Sequence, residues 1–190
     1  MLAIAIKIDY QEIYKMRIDI KKTKVYKFNE LPENAQDKAL EHLYDININY
    51  DWWESTYEDA AQIGFKIDSF DIDRGSYCKG NFLESAEATA KLIIDNHGID
   101  CETYKDAKAY LQERKKLIDA ADKDEDGEFI DGSALDDKLD EIDGEFKYTL
   151  QEDYRIMLQH EFEYQTSKKS IIDTIEANDY EFTIEGKIYR

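Results

Sequence analysis

Proline occurs once in this chain, at Pro32, and glycine only eight times, so no stretch has the composition of a flexible linker. Cysteine occurs twice, at Cys78 and Cys101, with no CxxC spacing. Nothing marks a disulfide scaffold, and reduced thiols in a cytoplasmic protein are expected. The three histidines, His42, His97 and His160, lie far apart, and His160-Glu161 lacks the second histidine of a zinc-protease helix. No apolar run nears the ~18 residues of a membrane span. Met1–Ile8 is too short and too poor in base for a secretory signal. Carboxylates are so numerous that no pair stands out as general acid and base. The expectation is a soluble cytoplasmic protein that is not an enzyme.

What the chain has in excess is acid, unevenly placed. Its formal charge is −19, yet residues 1–31 carry 7 Lys/Arg against 4 Asp/Glu. Residues 119–163 hold 17 acids and 4 bases, and their apolar residues recur at helical spacing. A folded surface of one sign repels nucleic acid and attracts cations or basic protein surfaces. Neither direct nucleic-acid binding nor membrane association is expected.

The patterns predict an α+β fold in a single domain over 1–190, with antiparallel strands at both termini, a largely helical middle and one long acidic helix. Leu2–Ile8 and Tyr14–Ile20 alternate as strands, and Lys24–Phe28 is a third short β segment. Pro32 opens a helix from Glu33 to about Tyr44. Asp51 and Glu54 have capping-box spacing for the next helix, which Gly64 ends. Phe65–Asp73 is a strand, and Arg74–Gly80 a turn leading into Asn81–Leu83. Ser85 caps a helix that Gly98 stops, and Asp100 caps another reaching Ile118. Ser133 and Asp136 start the longest helix, through Leu135, Leu139, Ile142, Phe146, Leu150, Tyr154 and Met157. Gly144 is a weak point in it. A helix over Ser167–Glu176 and a hairpin over Tyr180–Tyr189 close the chain, and the hairpin is expected to share a sheet with the first strands. The predicted core includes Phe28, Leu40, Trp52, Phe70, Leu92, Leu111, Leu139, Phe146 and Met157.

Asp122, Asp124, Asp126 and Gly127 match positions 1, 3, 5 and 6 of an EF-hand loop, with the Glu128 carbonyl as a further ligand. Position 12 is Ser133, where a bidentate glutamate should close the sphere. Asp131 or Asp136 would have to replace it. Ca²⁺ is therefore a candidate cofactor, and an acidic solvated loop is the plain alternative.

In the helix that follows, Asp136 and Asp140, Asp137 and Glu141, and Glu141 and Glu145 stand at i,i+4, where like charges destabilise by a few tenths of a kcal/mol. Asp136, Asp137, Asp140, Glu141, Asp143 and Glu145 form the candidate partner-binding set. Charge runs are usually solvated faces; the sharper reading is a surface for a basic partner. Ser133–Glu163 as a helix would span roughly 46 Å and carries 10 acids against 3 bases. A nucleic-acid strand of that length has about 13 charges, so the helix alone reaches about half that density.

Trp52-Trp53, beside Tyr50 and Tyr57, sit in an acidic stretch, and are read as core rather than as base-stacking residues. Cys78, between Arg74 and Lys79, is read as an idle thiol rather than an activated one.

Three stretches carry a resemblance. Lys24–Ala39 (KVYKFNELPENAQDKA) and Tyr50–Ala60 (YDWWESTYEDA) are two of them. The third runs from Asp153-Tyr-Arg-Ile-Met-Leu158 through Glu163–Ser167 to Ile175–Phe182. Together they resemble an uncharacterised family of bacteriophage and mobile-element proteins. Asp73–Gly80 departs from that family's glycine-rich turn, which ends in acidic and aromatic residues. The resemblance implies a phage or prophage setting and no catalytic residue. The expected function is a phage accessory protein acting by binding, as an acidic inhibitor of a host nucleic-acid-handling defence protein such as a CRISPR or restriction nuclease. A Ca²⁺-binding or structural interaction module is the alternative.

Overall fold

Phe65, Ile67 and Cys78 turn inward from a two-stranded antiparallel sheet, β1 (Phe65–Asp71) and β2 (Tyr77–Phe82). In the computed structural model, which describes residues 22–127 and 129–189, this is the sheet around which the larger body is built. Six α-helices are found among the described residues, so the fold is α+β and mostly helical, as the order of patterns predicts. They are α1 (Glu33–His42), α2 (Glu54–Gln62), α3 (Ala86–Asn96), α4 (Glu102–Ala120), α5 (Gly132–Gln165) and α6 (Lys168–Ala177). The described residues group into two compact units, 43–174 and 22–42 with 175–189.

In the 43–174 unit, α2 lies against β1, α5 against β2, and α4 against both α3 and α5. The pleat explains the pairing: Phe65 and Ile67 are buried while Lys66 and Asp68 are exposed, the period of two of a strand with one face in the core. Aromatic rings join the layers. Phe65 stacks on Tyr154 at 5.8 Å, Phe82 on Phe146 at 5.9 Å, and Phe146 on Tyr110 at 4.5 Å. Trp52, Trp53 and Tyr57 gather around Phe70 as a half-buried aromatic annex of the core. Asn47, buried, donates to the Gln165 carbonyl (3.1 Å) and Ser170 Oγ (3.0 Å) and accepts from Thr174 Oγ1 (2.7 Å), so its amide is satisfied.

The other unit holds a 3-10 turn, Phe28–Glu30, then α1 and the C-terminal segment. Phe182, fully buried, pairs antiparallel with both Tyr26 and Ile188. The segment around Tyr26 and the closing hairpin are thus joined, though by single bridges. The β segment expected over Lys24–Phe28 shrinks to Tyr26, because the chain turns at Phe28. Leu2–Ile8 and Tyr14–Ile20 lie outside the described residues.

Several local expectations change. β2 begins at Tyr77 rather than Asn81, so the turn is shorter than Arg74–Gly80. Ser85 does cap α3, accepting from Ala88 N at 3.1 Å, but Trp53 and Cys101 stand at the N-caps expected for Asp51 and Asp100, with no side-chain cap bond. Asp131, not Ser133, caps α5, its Oδ1 accepting from Ala134 N at 3.1 Å. Two predicted core residues are exposed, Leu92 at 39% and Met157 at 37%. The buried stripe of α3 runs Ala86, Ala90, Ile93, and that of α5 runs Phe146, Leu150, Tyr154, Leu158. Leu92 and Met157 each sit one residue, about 100°, off those stripes. Leu40, Trp52, Phe70, Leu111 and Leu139 are half-buried.

Candidate functional site

Asp131 starts α5 by satisfying one of its free N–H groups, and Leu135, buried, fixes its rotation. That rotation puts Asp136, Asp137, Asp140 and Glu141 on one exposed face, and none of them forms an ion pair among the described residues. Lys138 stands exposed among them, and three bases of α4 are spent elsewhere: Lys115 on Asp119 at 2.7 Å, Lys116 on Glu113 at 3.1 Å, Arg114 on Glu87 at 3.0 Å. Asp143 does not belong to that face. Its Oδ1 accepts from Tyr110 Oη at 2.6 Å and lies 3.7 Å from Arg114 Nη1, which ties α5 to α4. Burial and that carboxylate push the Tyr110 phenol up. Glu145 stands on the side towards α4, lining a shallow groove with Asp106 and Glu113.

The aspartate loop turns its polar groups on itself. Asp124 Oδ1 accepts from Asp126 N at 3.0 Å, Asp124 O from Gly127 N at 3.1 Å, and Asp122 O from Ile130 N at 3.0 Å. Lys123 and Phe129 pair as a bridge, with Lys123 Nζ over the Phe129 ring. Glu128 lies outside the described residues. Among the described residues no three carboxylate, histidine or cysteine groups come together as metal ligands, and Asp131, a replacement for the missing glutamate, is committed to its cap. Asp136, the other candidate to close the sphere, is exposed on α5. Calorimetry with millimolar CaCl₂ decides between the two readings of the loop: a saturable heat that disappears in Asp124→Ala supports Ca²⁺ binding, and no heat with no shift in Tm leaves an acidic solvated loop.

A second site has no counterpart in the sequence reading. Where α3 ends and α4 begins, His97, Gly98, Cys101, Glu102 and Thr103 face Asp59 of α2 and Asp153, Ile156 and Met157 of α5 across a cavity of ≈ 510 Å³. The His97 side chain is 10% exposed. Its Nδ1 is 2.7 Å from Thr103 Oγ1, and its Nε2, 3.6 Å from Asp59 Oδ1, has no hydrogen-bond partner. Asp59 Oδ2 accepts from Tyr154 Oη at 2.9 Å, and burial with that carboxylate holds the Tyr154 proton firmly. Asp153 Oδ2 is also buried with no N–H donor on it, and the Asp153 carboxyl, when protonated, hydrogen-bonds the Asp106 carboxylate. Burial, then the neighbouring Asp106, Glu102 and Glu152 carboxyls, push the Asp153 carboxyl up to about 7.

Cys78 is buried in the core, and burial ahead of the Glu152 charge pushes its thiol up to about 11, so it is no activated nucleophile. No helix is long and apolar enough to cross a membrane among the described residues. No protein-family model, no curated protein and no solved structure matches the chain.

Proposed function

We propose that this chain is an accessory protein of a phage or prophage that acts by binding in the host cytoplasm. Its partner is a host nucleic-acid-handling protein, of the CRISPR or restriction-nuclease class, whose basic surface receives the α5 acidic face. The observation that carries this is the set of four exposed carboxylates, Asp136, Asp137, Asp140 and Glu141, left without a counter-ion among the described residues. They occupy about 7.5 Å of helix axis. A duplex has about four phosphates in that length and a single strand about two. Lys138 lies among them, so the patch nets −3, a density between that of a single strand and that of a duplex. The resemblance of Lys24–Ala39, Tyr50–Ala60 and Asp153–Phe182 to phage and mobile-element proteins supports the setting. Such a face gives speed and selectivity of encounter more than raw affinity, so binding should fall as salt rises.

The test is capture of partners from host lysate by the wild type and by the variant D136K/D137K/D140K/E141K. All four side chains are exposed, so the variant should fold with little change in stability. The wild type is expected to capture a nuclease at low salt and to release it at roughly 0.5 M salt, where the Debye length is only a few Å. The variant is expected to capture none. A variant that keeps its partner, or a wild type that binds DNA itself, ends the proposal.

A further inference from the structure

We propose that the cavity between α2, α4, α5 and the end of α3 binds an alkylammonium group, a primary amine on a short apolar chain. The proposal concerns a site apart from the acidic face and does not depend on it.

The wall of the cavity holds three carboxylates, Asp59, Glu102 and Asp153, and no lysine or arginine. His97 Nε2 is buried without a partner, and Asp153 Oδ2 has none beyond the proton that its carboxyl shares with Asp106. Buried polar groups in folded proteins are nearly always paired, so His97 Nε2 on the cavity wall calls for a ligand. With the His97 proton on Nδ1 and donated to Thr103 Oγ1, Nε2 is an acceptor. Asp153 Oδ2, once ionised, is an acceptor too. Asp59 Oδ1 is a third, since Tyr154 occupies only Oδ2, and 3.6 Å to His97 is too long for a hydrogen bond. In that tautomer His97 Nε2 and Asp59 Oδ1, 3.6 Å apart, suit a ligand that donates to both, with the Asp153 carboxylate on the same wall. An ammonium has three N–H groups and no lone pair.

Asn96, Cys101 and Thr103 also line the cavity, and one part of the wall is apolar. Ile156 and Met157 are adjacent on α5 and exposed at 40% and 37%. Met157 stands off the core stripe, on the wall where a methylene chain would lie. The volume, ≈ 510 Å³, suits a small ligand. No three ligating side chains converge on one point among the described residues, so the ligand is one that two acceptors at a time can hold, not a metal ion.

Asp153 gives the site a pH dependence. The groups around it are Asp106 and Glu102 from α4, Glu152 and Tyr154 on its own helix, with Asp59 from α2 and His97 on the cavity wall. A cation binds the ionised form, so below about pH 7 each amine bound must displace a proton. Affinity should rise about tenfold per pH unit below that point and level off above it. In the empty protein the sign is opposite. An acid whose folded pKa is raised contributes stability at low pH that is lost as pH climbs through about 7. Asp153→Asn, neutral at every pH, should therefore raise Tm at pH 8 and leave it nearly unchanged at pH 4.

The experiment is titration calorimetry at pH 8 with n-butylamine, 1-butanol and Nα-acetyl-lysine amide. Butylamine is expected to bind saturably at millimolar concentration and 1-butanol not to bind. Affinity should fall at least tenfold from pH 8 to pH 6, and at least tenfold in Asp153→Asn. That variant's higher Tm at pH 8 separates lost binding from lost folding. Acetyl-lysine amide binding more tightly than butylamine points to a lysine side chain of a protein partner; weaker binding points to a free amine. Equal binding of 1-butanol, unaltered binding in Asp153→Asn, or a flat profile from pH 6 to 8 overturns the proposal. So does the absence of any amine binding, which leaves a cavity filled by water.

Discussion

Phe146→Ala is expected to cost about 3–5 kcal/mol and to lower Tm by on the order of 10 °C for a chain of this size. The ring is 4% exposed and lies between Tyr110 of α4, centroids 4.5 Å apart, and Phe82 of β2, 5.9 Å apart. It joins helix to helix and helix to sheet in the 43–174 unit. Removing it takes away stacking on both sides and leaves a cavity that the flanking rings cannot fill without leaving their own contacts. It also disturbs the Tyr110–Asp143 hydrogen bond, because the phenol that makes that bond stacks on Phe146. Tyr148, two residues on and 65% exposed, is the control. Tyr148→Ala should change stability by no more than about 0.5 kcal/mol. Thermal melts of the two variants beside the wild type decide the matter, and a Phe146→Ala loss under about 1 kcal/mol would mean that the ring stack is not formed in solution.

Much of this architecture was legible because helical period and core burial coincide. Leu135, Phe146, Leu150 and Tyr154 follow the expected stripe, and Ser85 caps where a serine with no acidic competitor stands. The failures have two physical sources. In an acid-rich chain nearly every helix start offers several aspartates at capping distance, so Asp131 and Ser133 cannot be ranked until the backbone shows which reaches an N–H. In α5 both Met157 and Leu158 continue an apolar spacing of 3 or 4, and only packing in the folded core decides for Leu158. β2 was half missed because Cys78, Gly80 and Asn81 carry no β propensity; its pairing with β1 makes it a strand. The acidic face of α5 was legible as charge, but not that Asp143 turns inward to Tyr110. The cavity was invisible for a different reason. Asp59, His97 and Asp153 come from separate helices, and a lone histidine in sequence carries no sign of the carboxylates that the fold will place against it.

Gly186→Ala is expected to undo the pairing of the C-terminal hairpin. Gly186 has φ +82°, the left-handed region in which a Cβ costs roughly 1–2 kcal/mol. It closes a tight turn, its N–H donating to Thr183 O at 2.9 Å while Thr183 N–H donates to Lys187 O at 2.8 Å. A Cβ there would also overlap the carbonyl oxygen of Ala35, and would lie 3.3 Å from Ala39 N. Those atoms are the backbone of α1, and no rotamer change moves them aside. Ala35 and Ala39, both buried, are small for the same reason: they let the turn approach the helix. Gly75 separates the two effects. Its φ is +83°, yet nothing lies within 4 Å of where a Cβ would stand. Gly75→Ala should therefore show the conformational cost alone, and Gly186→Ala should exceed it by about 1–3 kcal/mol of overpacking. Hydrogen exchange gives the local readout. The amides of Tyr26 and Phe182, which donate to each other's carbonyls at 2.9 and 2.8 Å, should lose protection in Gly186→Ala and keep it in Gly75→Ala. Equal loss of stability in the two variants, with both amides still protected, would show that the turn does not sit against α1 as described.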